Sequence, residues 1–468
     1  MKSDRRIFGQ NAIFSSDCEQ TGLNNNVIVC GGSGSGKTMS VSEPLLLNTV
    51  SSSLIVTVTK RRLIDKYSPL FEKRGYNVEV MDFVHPEECT KVFDPLSYIK
   101  NETDAVFLAA SIVKSRPKHV PAGKDEYWDN AAISLLTAEI GLCIWRHKVQ
   151  SLPVVLAIND GLRICEKGEG IETSWDSSFD EMEEELGAEN YAVRCWHTFK
   201  DLPRTTAGCV YSTLNSILDT LFTASLREMM LNENYLCFES IANEKTVLFV
   251  YTSAVNPALN CFANMFYSYA IKELFEYGEQ LPEGRLPIPV HMLCDDFATG
   301  SPILNFPEYI SIFREKGISV TLLVQSESQI EKMYERQDAV TIINNCDTYV
   351  YMGGMDIQTA ENVSKRLNAP LEDVLYMPVG KVIVFRRGQK PIVTERYNIK
   401  ENPLYKRVTE IYEAKKNNTK SQLKSDKSTG RGVPALRQPD PNIRIFLRRV
   451  FLDQKRPARR LCLILIKN

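Results

Sequence analysis

Residues 27–38 read VIVCGGSGSGKT, in which a short apolar run predicts a strand and a glycine-rich loop follows it directly. The order strand, G-x-x-x-x-G-K-[ST], helix is typical of loops that cradle the phosphates of a nucleotide. Glycines permit the tight turn and let backbone N–H groups approach phosphate oxygens closely. We therefore predict a nucleotide-binding loop made of Gly31, Gly32, Ser33, Gly34, Ser35, Gly36, Lys37 and Thr38.

Two side chains of this loop carry chemistry of their own. We expect Lys37 to reach the β- and γ-phosphates of ATP and the hydroxyl of Thr38 to hold Mg²⁺. Residues 39–47 can open a helix whose N-terminus faces the phosphates. The alternative is a flexible Gly/Ser turn. An accidental match to the whole pattern is expected in roughly one or two of a hundred chains of this length.

Length and composition describe an ordinary globular protein with an unusual tail. The 468 residues suggest two or three domains, with 43% hydrophobic and 24% charged residues. Residues 401–468 hold 17 Lys/Arg and 6 Asp/Glu, a net +11, so the rest of the chain carries −13. A basic tail on an acidic body is typical of an interaction tail. The body lacks the overall positive charge that is typical of nucleic-acid-binding proteins.

Cysteines, histidines and apolar runs exclude further classes of protein. The 12 cysteines form no C-x-x-C pair and the five histidines are dispersed, so we expect free thiols in a reducing compartment and no transition-metal site. No run approaches the roughly 18 apolar residues of a membrane span, and the N-terminus lacks the apolar core of a signal peptide. The sequence as given therefore predicts a soluble chain.

The order of predicted elements indicates an α/β fold with one helical interruption. Strands are predicted over 53–58 and 77–83 with a helix over 61–74 between them, which belongs to a mainly parallel sheet. Helical patterns such as 128–145 and 205–230 then dominate until about residue 243. The α/β rhythm resumes with strands over 246–251, 289–294, 318–324, 348–351 and 381–385, and helices over 259–277, 307–316, 326–344 and 357–367.

These patterns divide the chain into four segments. We predict an ATPase domain made of residues 1–95 and 244–400, interrupted by an all-α domain over 96–243. Residues 401–468 form a basic, partly disordered tail, with a disordered linker over 415–431. The acidic stretch 179–186 in the insertion has two interpretations, a solvated helix face or a surface for a basic partner.

The strand over 289–294 ends in two acids, Asp295 and Asp296. A phosphate loop needs a carboxylate site on a neighbouring strand, so we expect Asp295 to bind Mg²⁺ and Asp296 to polarise the attacking water as a general base. Alone, a strand that ends in Asp-Asp is more often the start of a turn. Its place in a chain with a strong phosphate loop favours the catalytic interpretation.

Two further side chains are catalytic candidates with structural alternatives. Gln325 ends the next predicted strand, where polar groups flank the nucleotide crevice of such sheets, and the alternative is a loop side chain. Arg314 is a candidate arginine finger acting on a neighbouring subunit's ATP, or a solvated cation at a helix C-terminus. Tyr127 and Trp128 are more often core aromatics than groups that stack on nucleic acid.

Eight segments together resemble one family over about residues 25–393. They read NNNVIVCGGSGSGKT, GYNVEVMDF, FDPLSYI, DEYWDNAA, PVHMLCDDFATGSPI, FREKGISVTLLVQSESQI, NNCDTYVYMGG and GKVIVFRRG. The chain resembles the conjugative coupling ATPases of type IV secretion, the TraG type, especially those of Gram-positive bacteria. The resemblance implies a RecA-like P-loop NTPase domain carrying an all-α domain, usually assembled as a homo-hexameric ring.

The resemblance also implies a function and partners. Such motors couple ATP hydrolysis to the movement of single-stranded DNA, usually with its bound relaxase, into the secretion channel at the cytoplasmic face of the bacterial plasma membrane. Relaxase, accessory DNA-processing proteins and the ATPases and membrane components of the channel are the implied partners. Gln325 matches the family's γ-phosphate sensor and Arg314 the position of its trans-acting arginine.

Four features depart from the family pattern. The sequence lacks the usual membrane-spanning helices before the phosphate loop, and its tail after about Val433 resembles nothing in the family. Residues 57–62 read TVTKRR where the family usually has Thr-Asp-Pro-Lys-Gly-Glu, so two acids are missing. Asp296 replaces the usual Glu and is shorter by one methylene.

Three functions remain open on the sequence alone. We favour an ATP-driven translocase of single-stranded DNA; the rivals are an ATPase that moves protein substrates only and a non-hydrolysing docking platform that binds ATP and recruits a relaxase. A cassette-type transporter ATPase would need a Leu-Ser-Gly-Gly-Gln-like signature, which the sequence lacks. A small-molecule kinase has no need of a helical insertion of this size.

Overall fold

The apolar run before the glycine-rich loop forms one strand of a large sheet. The computed structural model describes residues 4–115, 126–146, 151–168, 170–232, 234–253 and 255–428. The strands are β1 (Arg5–Gly9), β2 (Ala12–Ser15), β3 (Val27–Cys30), β4 (Ser53–Val58), β5 (Asn77–Asp82), β6 (Ile164–Lys167), β7 (Gly170–Thr173), β8 (Thr246–Tyr251), β9 (Val290–Cys294), β10 (Ile318–Val324), β11 (Thr348–Tyr351), β12 (Lys381–Arg386) and β13 (Ile392–Glu395).

Helices connect these strands and fill the interruption between β5 and β8. They are α1 (Cys18–Thr21), α2 (Glu43–Asn48), α3 (Arg61–Lys73), α4 (Glu102–Lys114), α5 (Glu126–Arg146), α6 (Leu152–Gly161), α7 (Asp176–Leu186), α8 (Tyr191–Lys200), α9 (Arg204–Leu221), α10 (Ala224–Met229), α11 (Phe238–Asn243), α12 (Pro257–Gln280), α13 (Phe306–Lys316), α14 (Glu327–Asn344), α15 (Ile357–Leu367), α16 (Leu371–Leu375) and α17 (Pro403–Ser428). A π-helical turn, Thr38–Ser42, precedes α2.

The main sheet has nine strands in the order β13-β12-β11-β3-β10-β9-β4-β8-β5. The seven strands from β11 to β5 are parallel, and β12 and β13 add an antiparallel hairpin at one edge. Because the carboxyl ends of parallel strands share one edge of a sheet, the segments that follow β3, β10 and β9 lie side by side. The predicted α/β fold with a mainly parallel sheet is confirmed.

The sheet is buried on both faces because its strands are apolar at successive positions. In β3, Ile28 and Cys30 join the core on one face, and Val27 and Val29 join the core on the other. Helices α2 and α3 cover the second face together with Phe8 of β1. This double burial fixes the position of the loop that follows β3.

The helical segment between β5 and β8 shares its core with the first face of the sheet. The ring of Phe93, near the start of this segment, lies 5.8 Å from Phe262 and 5.3 Å from Phe266, both on α12. Asp94 is buried and accepts hydrogen bonds from the backbone N–H groups of Leu96 (2.9 Å) and Leu152 (2.8 Å), which ties the start of the segment to α6. Burial raises the pKa of the Asp94 carboxyl to about 7.

Hairpin β6–β7 departs from the all-helical pattern predicted for residues 96–243. Its two strands have four residues each, and Gly168 enters the turn between them with a φ of +60°. Four residues are too few for a period-2 signal to stand out against the helical patterns on either side. The domain boundaries at 96 and 243 stay a prediction, since packing across them is continuous.

Strands and helices of the α/β part follow the sequence predictions within one to three residues. Two hairpins were not predicted. In β1–β2, the buried carboxylate of Asp4, just before β1, accepts hydrogen bonds from the N–H of Val50 (2.7 Å) and from both donors of Ser51 (2.9 Å each). In β12–β13, strand β13 ends at Glu395, next to the carboxyl ends of the parallel strands.

Helix α17 corrects the prediction for the tail. A disordered linker was expected from residue 415, and this is wrong for residues 415–428, where α17 continues through Ser428. The segment has no Gly or Pro between Pro403 and Ser428 and contains six Lys, a residue that favours helix. Residues 429–468, including the rest of the predicted linker and the basic end, lie outside the described residues.

The chain divides into two compact units at Thr409 and Glu410. The first contains the sheet and the helical segment. In the described part of the second, the Lys416 ammonium lies 5.8 Å from the ring centroid of Tyr412.

Among the described residues, we find no helix with both the length and the apolar character needed to cross a bilayer.

Candidate active site

The loop after β3 is tied to the ends of the two neighbouring strands. Gly31 donates a backbone hydrogen bond to the carbonyl of Val324 at the end of β10 (3.1 Å), and Gly32 donates to Gly353 after β11 (2.8 Å). Gly34 and Gly36 have φ values of +74° and +91°, a region in which a side chain is strained. The glycines at these two positions therefore permit the predicted turn.

Lys37 lies over its own loop. Its ammonium donates to the carbonyl oxygens of Gly31 and Gly32, the latter at 3.2 Å. Burial lowers the pKa of Lys37 below its ordinary value, and the carboxylates of Asp296 and Asp295 oppose that shift. The lysine thus lies within electrostatic reach of both predicted acids.

Asp295 and Asp296 follow β9, one strand removed from β3, with β10 between them. Burial raises the pKa of the Asp295 carboxyl to about 6; the charge of Asp296 adds to the rise, and Lys37 opposes it. Asp296 has a φ of +53°, which is uncommon for a residue with a side chain and is typical of functional turns. Its carbonyl accepts the Thr299 hydroxyl at 2.8 Å, which holds the turn.

Gln325 stands between the loop and the acids, at the end of β10. Its backbone N–H donates to the side chain of Gln329 (3.1 Å), and Gln325 itself is exposed. Lys37, Thr38, Gln325 and the two acids therefore lie along one edge of the sheet, as the sequence predicted.

Arg314 lies at the opposite edge of the sheet. It is in the last turn of α13, just before the start of β10, and its guanidinium donates to the carbonyl oxygens of Gly22 (3.0 Å) and Cys18 (3.5 Å). Arg314 is therefore remote from the phosphate loop of its own chain. Its predicted action on a neighbouring subunit is not tested by this geometry and stays a prediction.

The segment that departs from the family pattern, residues 57–62, spans the end of β4 and the start of α3. Arg61 contacts the fully buried carboxylate of Asp82 at 2.5 Å and that of Glu88 at 2.6 Å. Lys60 opposes the raised pKa of Asp295 through its charge. A small cleft at this edge of the sheet is lined by Asp295, Asp296 and Thr59. Thr59 and Lys60 thus border the carboxylate end of the site, whereas Arg61 pairs with acids that follow β5.

One side chain at the site was missed by the sequence analysis. Arg396, directly after β13, donates from Nη1 to the carbonyl oxygen of Ser35 in the phosphate loop at 2.5 Å. The two residues are 361 positions apart in the chain. No local pattern marks such a contact, and only the pairing of β12 with β13 brings Arg396 to this edge.

The predicted aromatic pair of the insertion is divided between core and surface. The rings of Tyr127 and Trp128 lie 5.1 Å apart in an edge-to-face arrangement. Trp128 packs against the core, whereas Tyr127 is 55% exposed. The core interpretation therefore holds for Trp128 only.

The residues at the loop fit a nucleotide with its magnesium ion. Ser35 Oγ is buried in the loop, and no hydrogen-bond partner for it is found among the described residues, so it can donate to a phosphate oxygen. The hydroxyl of Thr38 and the carboxylate of Asp295 are the hard oxygen ligands that Mg²⁺ prefers. Lys37 supplies the cation that balances the phosphates.

Solved structures of TrwB and of VirB4 share the fold of this chain. The coupling protein TrwB, as the ΔN70 form with sulphate, is 16% identical with a TM-score of 0.64 over 85% of this chain and 90% of that one. TrwB in complex with ADP and Mg²⁺ is 15% identical with a TM-score of 0.65 over 85% and 89%. VirB4 of Thermoanaerobacter pseudethanolicus is 10% identical with a TM-score of 0.53 over 86% and 98%.

At this level of identity, these structures establish the fold. Among curated protein sequences, none matches the chain significantly. The model of the family described as type IV secretory system conjugative DNA transfer matches residues 3–369, most of the chain, and the chain therefore belongs to that family.

Proposed function

We propose that this protein is an ATP-hydrolysing motor that recruits single-stranded DNA with its bound relaxase and drives it into a type IV secretion channel during conjugation. The observation that carries the proposal is the placement of the phosphate loop and the pair Asp295–Asp296 on either side of the end of β10. In an ATPase this arrangement puts a general base next to the γ-phosphate. Family membership supplies the biological setting.

Each side chain of the site has one task in this proposal. Lys37 leaves the carbonyl oxygens of Gly31 and Gly32 and binds the β- and γ-phosphates, which offer a charged partner in place of two neutral ones. Thr38 and Asp295 would hold Mg²⁺, which would supply positive charge to the transferred phosphoryl group. Asp296 accepts the proton of the attacking water, and Gln325 contacts the γ-phosphate.

Nucleotide complexes of TrwB support these assignments. TrwB has been solved with ADP and Mg²⁺ and with the ATP analogue ADPNP, and this chain shares its fold. The loop geometry of this chain, with positive φ at Gly34 and Gly36, fits the same ligand class. ATP and Mg²⁺ are therefore the proposed cofactors.

Assembly and location are part of the proposal. We infer a homo-hexameric ring at the cytoplasmic face of the membrane that meets the ATPases and membrane components of the channel. A ring places Arg314, which lies far from its own phosphate loop, on a surface that a neighbouring subunit can use. Relaxase and accessory DNA-processing proteins are the proposed cargo and adaptors.

ATPase activity measured with and without single-stranded DNA tests the function. We expect wild-type turnover to rise severalfold when single-stranded DNA is added. Lys37→Ala should lose turnover under both conditions while its unfolding temperature stays within a few degrees, because the lysine contributes charge to phosphate and little packing.

The result distinguishes the three candidate functions. Turnover that single-stranded DNA leaves unchanged but relaxase alone stimulates would favour an ATPase that moves protein substrates. ATP binding without turnover would favour the docking platform. Equal turnover in wild type and Lys37→Ala would refute the assignment of the phosphate loop.

A further inference from the structure

Arg396, which follows the last strand of the sheet, forms a hydrogen bond with the phosphate loop. Arg396 Nη1 donates to the carbonyl oxygen of Ser35 at 2.5 Å, and the Arg396 backbone N–H donates to Gly380 at 2.7 Å. The second bond fixes the arginine to the strand connection before β12. Arg396 also lies beyond residues 3–369, the part that the family model matches.

The direction of this hydrogen bond decides what Arg396 can do. The peptide unit between Ser35 and Gly36 is planar and trans, so the Ser35 carbonyl and the Gly36 N–H point in opposite directions. A guanidinium that holds the carbonyl on the outside of the loop therefore turns the Gly36 N–H toward the inside. Phosphates are bound by such inward N–H groups in loops of this kind.

Gly36 provides the room for this contact. A Cβ atom at Gly36 would lie 2.5 Å from Arg396 Nη1, closer than any carbon can approach. The hydrogen bond has a charged donor, which makes it stronger than a neutral one. Drawing electron density toward the carbonyl also makes the N–H of the same peptide a better donor.

We propose that Arg396 is a positioning residue for nucleotide binding, which holds the Ser35–Gly36 peptide so that the Gly36 N–H faces a phosphate of ADP or ATP. This inference rests on the proposed function, since it assumes a nucleotide in the loop. Arg396 acts from outside the loop and does not contact the phosphates. It should therefore affect the affinity for ADP and ATP alike and the rate of the chemical step less.

Equilibrium binding to the full-length protein tests this role. A fluorescent ADP analogue is titrated into wild type, Arg396→Ala and Arg396→Lys, with ATP measured by competition and the unfolding temperature of each nucleotide-free protein recorded. We expect Arg396→Ala to raise Kd about tenfold for both nucleotides, the effect of one charged hydrogen bond. Arg396→Lys keeps the charge and one donor and should recover most of the affinity.

Lys381 provides a matched control at the same edge of the sheet. It pairs with Glu395 at 2.5 Å, next to Arg396, and no contact between it and the loop is recorded among the described residues. Lys381→Ala should leave both Kd values unchanged, so a similar weakening in this variant would mean that general charge, and not the hydrogen bond, is responsible.

Two outcomes overturn the inference and separate it from the proposed function. If wild type binds nucleotide and both Arg396 variants bind it equally well, with only a lower unfolding temperature, Arg396 is a structural brace and the motor assignment stands. If wild type binds no nucleotide, both proposals fall. Should Arg396→Ala not fold, Arg396→Met keeps most of the side-chain length without the donor, and a Kd for Arg396→Met equal to that of wild type decides against the role.

Discussion

At the scale of single residues, the backbone of Asp296 bears on its proposed chemistry. Its φ of +53° places it in the left-handed region, where Asn is at least as well accommodated as Asp. Asp296→Asn should therefore fold normally and bind ATP while turnover falls by about 10²-fold or more, the usual contribution of a general base.

Asp296→Glu restores the longer acid usual in the family and should keep or raise the rate, although Glu is less favourable in this backbone conformation. Steady-state turnover and ATP titration measure both variants; equal turnover in wild type and Asp296→Asn would support the docking platform.

The neighbouring acid predicts a pH dependence. The pKa of Asp295 is raised to about 6 by burial and then by the charge of Asp296, so Asp295 is protonated below that pH and is a poor Mg²⁺ ligand there. Nucleotide affinity that depends on Mg²⁺ should therefore fall as the pH drops through about 6. Asp296→Asn removes the charge that adds to the raised pKa of Asp295, so the midpoint of the fall in nucleotide affinity should move to lower pH. Titrations in Mg²⁺ at pH 5 to 8 measure it, and an identical midpoint in both proteins would contradict the coupling of the two acids.

At the scale of elements, local signals predicted the loop and the strands that support it, and contacts distant in sequence escaped prediction. β3, β9 and β10 are short apolar runs, and their loop, acids and glutamine follow directly, so one stretch of sequence contains both the strand and its functional side chain. Arg396 lies 361 residues from Ser35, and its role depends on strand order, which periodicity does not encode. Hairpin β6–β7 was missed because it is too short to show a period.

Helix α7 separates the acidic stretch into two kinds of carboxylate. Glu183 contacts His197 Nε2 at 2.8 Å, and Glu185 accepts the Trp145 indole N–H at 3.1 Å, so both stabilise the helical segment. Glu185 is exposed, as are Glu181 and Glu184, but no hydrogen bond or ion pair of the Glu181 and Glu184 side chains is found among the described residues. If this face binds a basic partner, Glu181 and Glu184 are available for it.

Neutralising each pair in turn tests that use of α7. Glu181→Gln with Glu184→Gln should weaken binding of the relaxase severalfold at low salt and reduce the salt dependence, with basal ATPase unchanged. Glu183→Gln with Glu185→Gln removes the same charge and should lower the unfolding temperature with less effect on binding. Affinities at two salt concentrations measure the difference, and equal effects of the two pairs would leave α7 as a solvated helix face.

At the scale of the whole molecule, the helical segment is integrated with the sheet. Phe222 packs against Phe262 and Phe238 packs against Phe266, both on α12, so replacing residues 96–243 by a short linker would expose apolar surface of the ATPase part. The sequence predicted an interruption whose ends return to one sheet, and β8 does pair with β5 and β4. The shared core could not be predicted, because apolar helix faces do not reveal which neighbour covers them.

Arg314 is the residue that we propose to act from one subunit on the next in the ring. Within its own chain it lies at the amino-terminal edge of the sheet and bonds the carbonyl of Gly22 at 3.0 Å. Arg387 bonds the same carbonyl at 3.2 Å, which makes it a matched control for the loss of that anchor. A trans-acting arginine finger also completes the ATPase site of a neighbouring subunit, which the hydrogen bond to Gly22 does not do.

Mixing subunits separates these two roles. If Arg314 acts in trans, wild-type activity per subunit should rise with protein concentration, and Arg314→Ala alone should be almost inactive, since a finger contributes about 10³-fold or more. Added to wild type at equal amounts, Arg314→Ala should reduce activity per wild-type subunit, because each variant subunit leaves one neighbouring site incomplete. Arg387→Ala loses a bond to Gly22 in the same way, and in the mixture it should leave activity per wild-type subunit unchanged. ATPase assays over a hundredfold range of protein concentration, and of both mixtures, measure these effects. If turnover is strictly proportional to concentration and Arg314→Ala does not inhibit wild type, Arg314 only anchors α1.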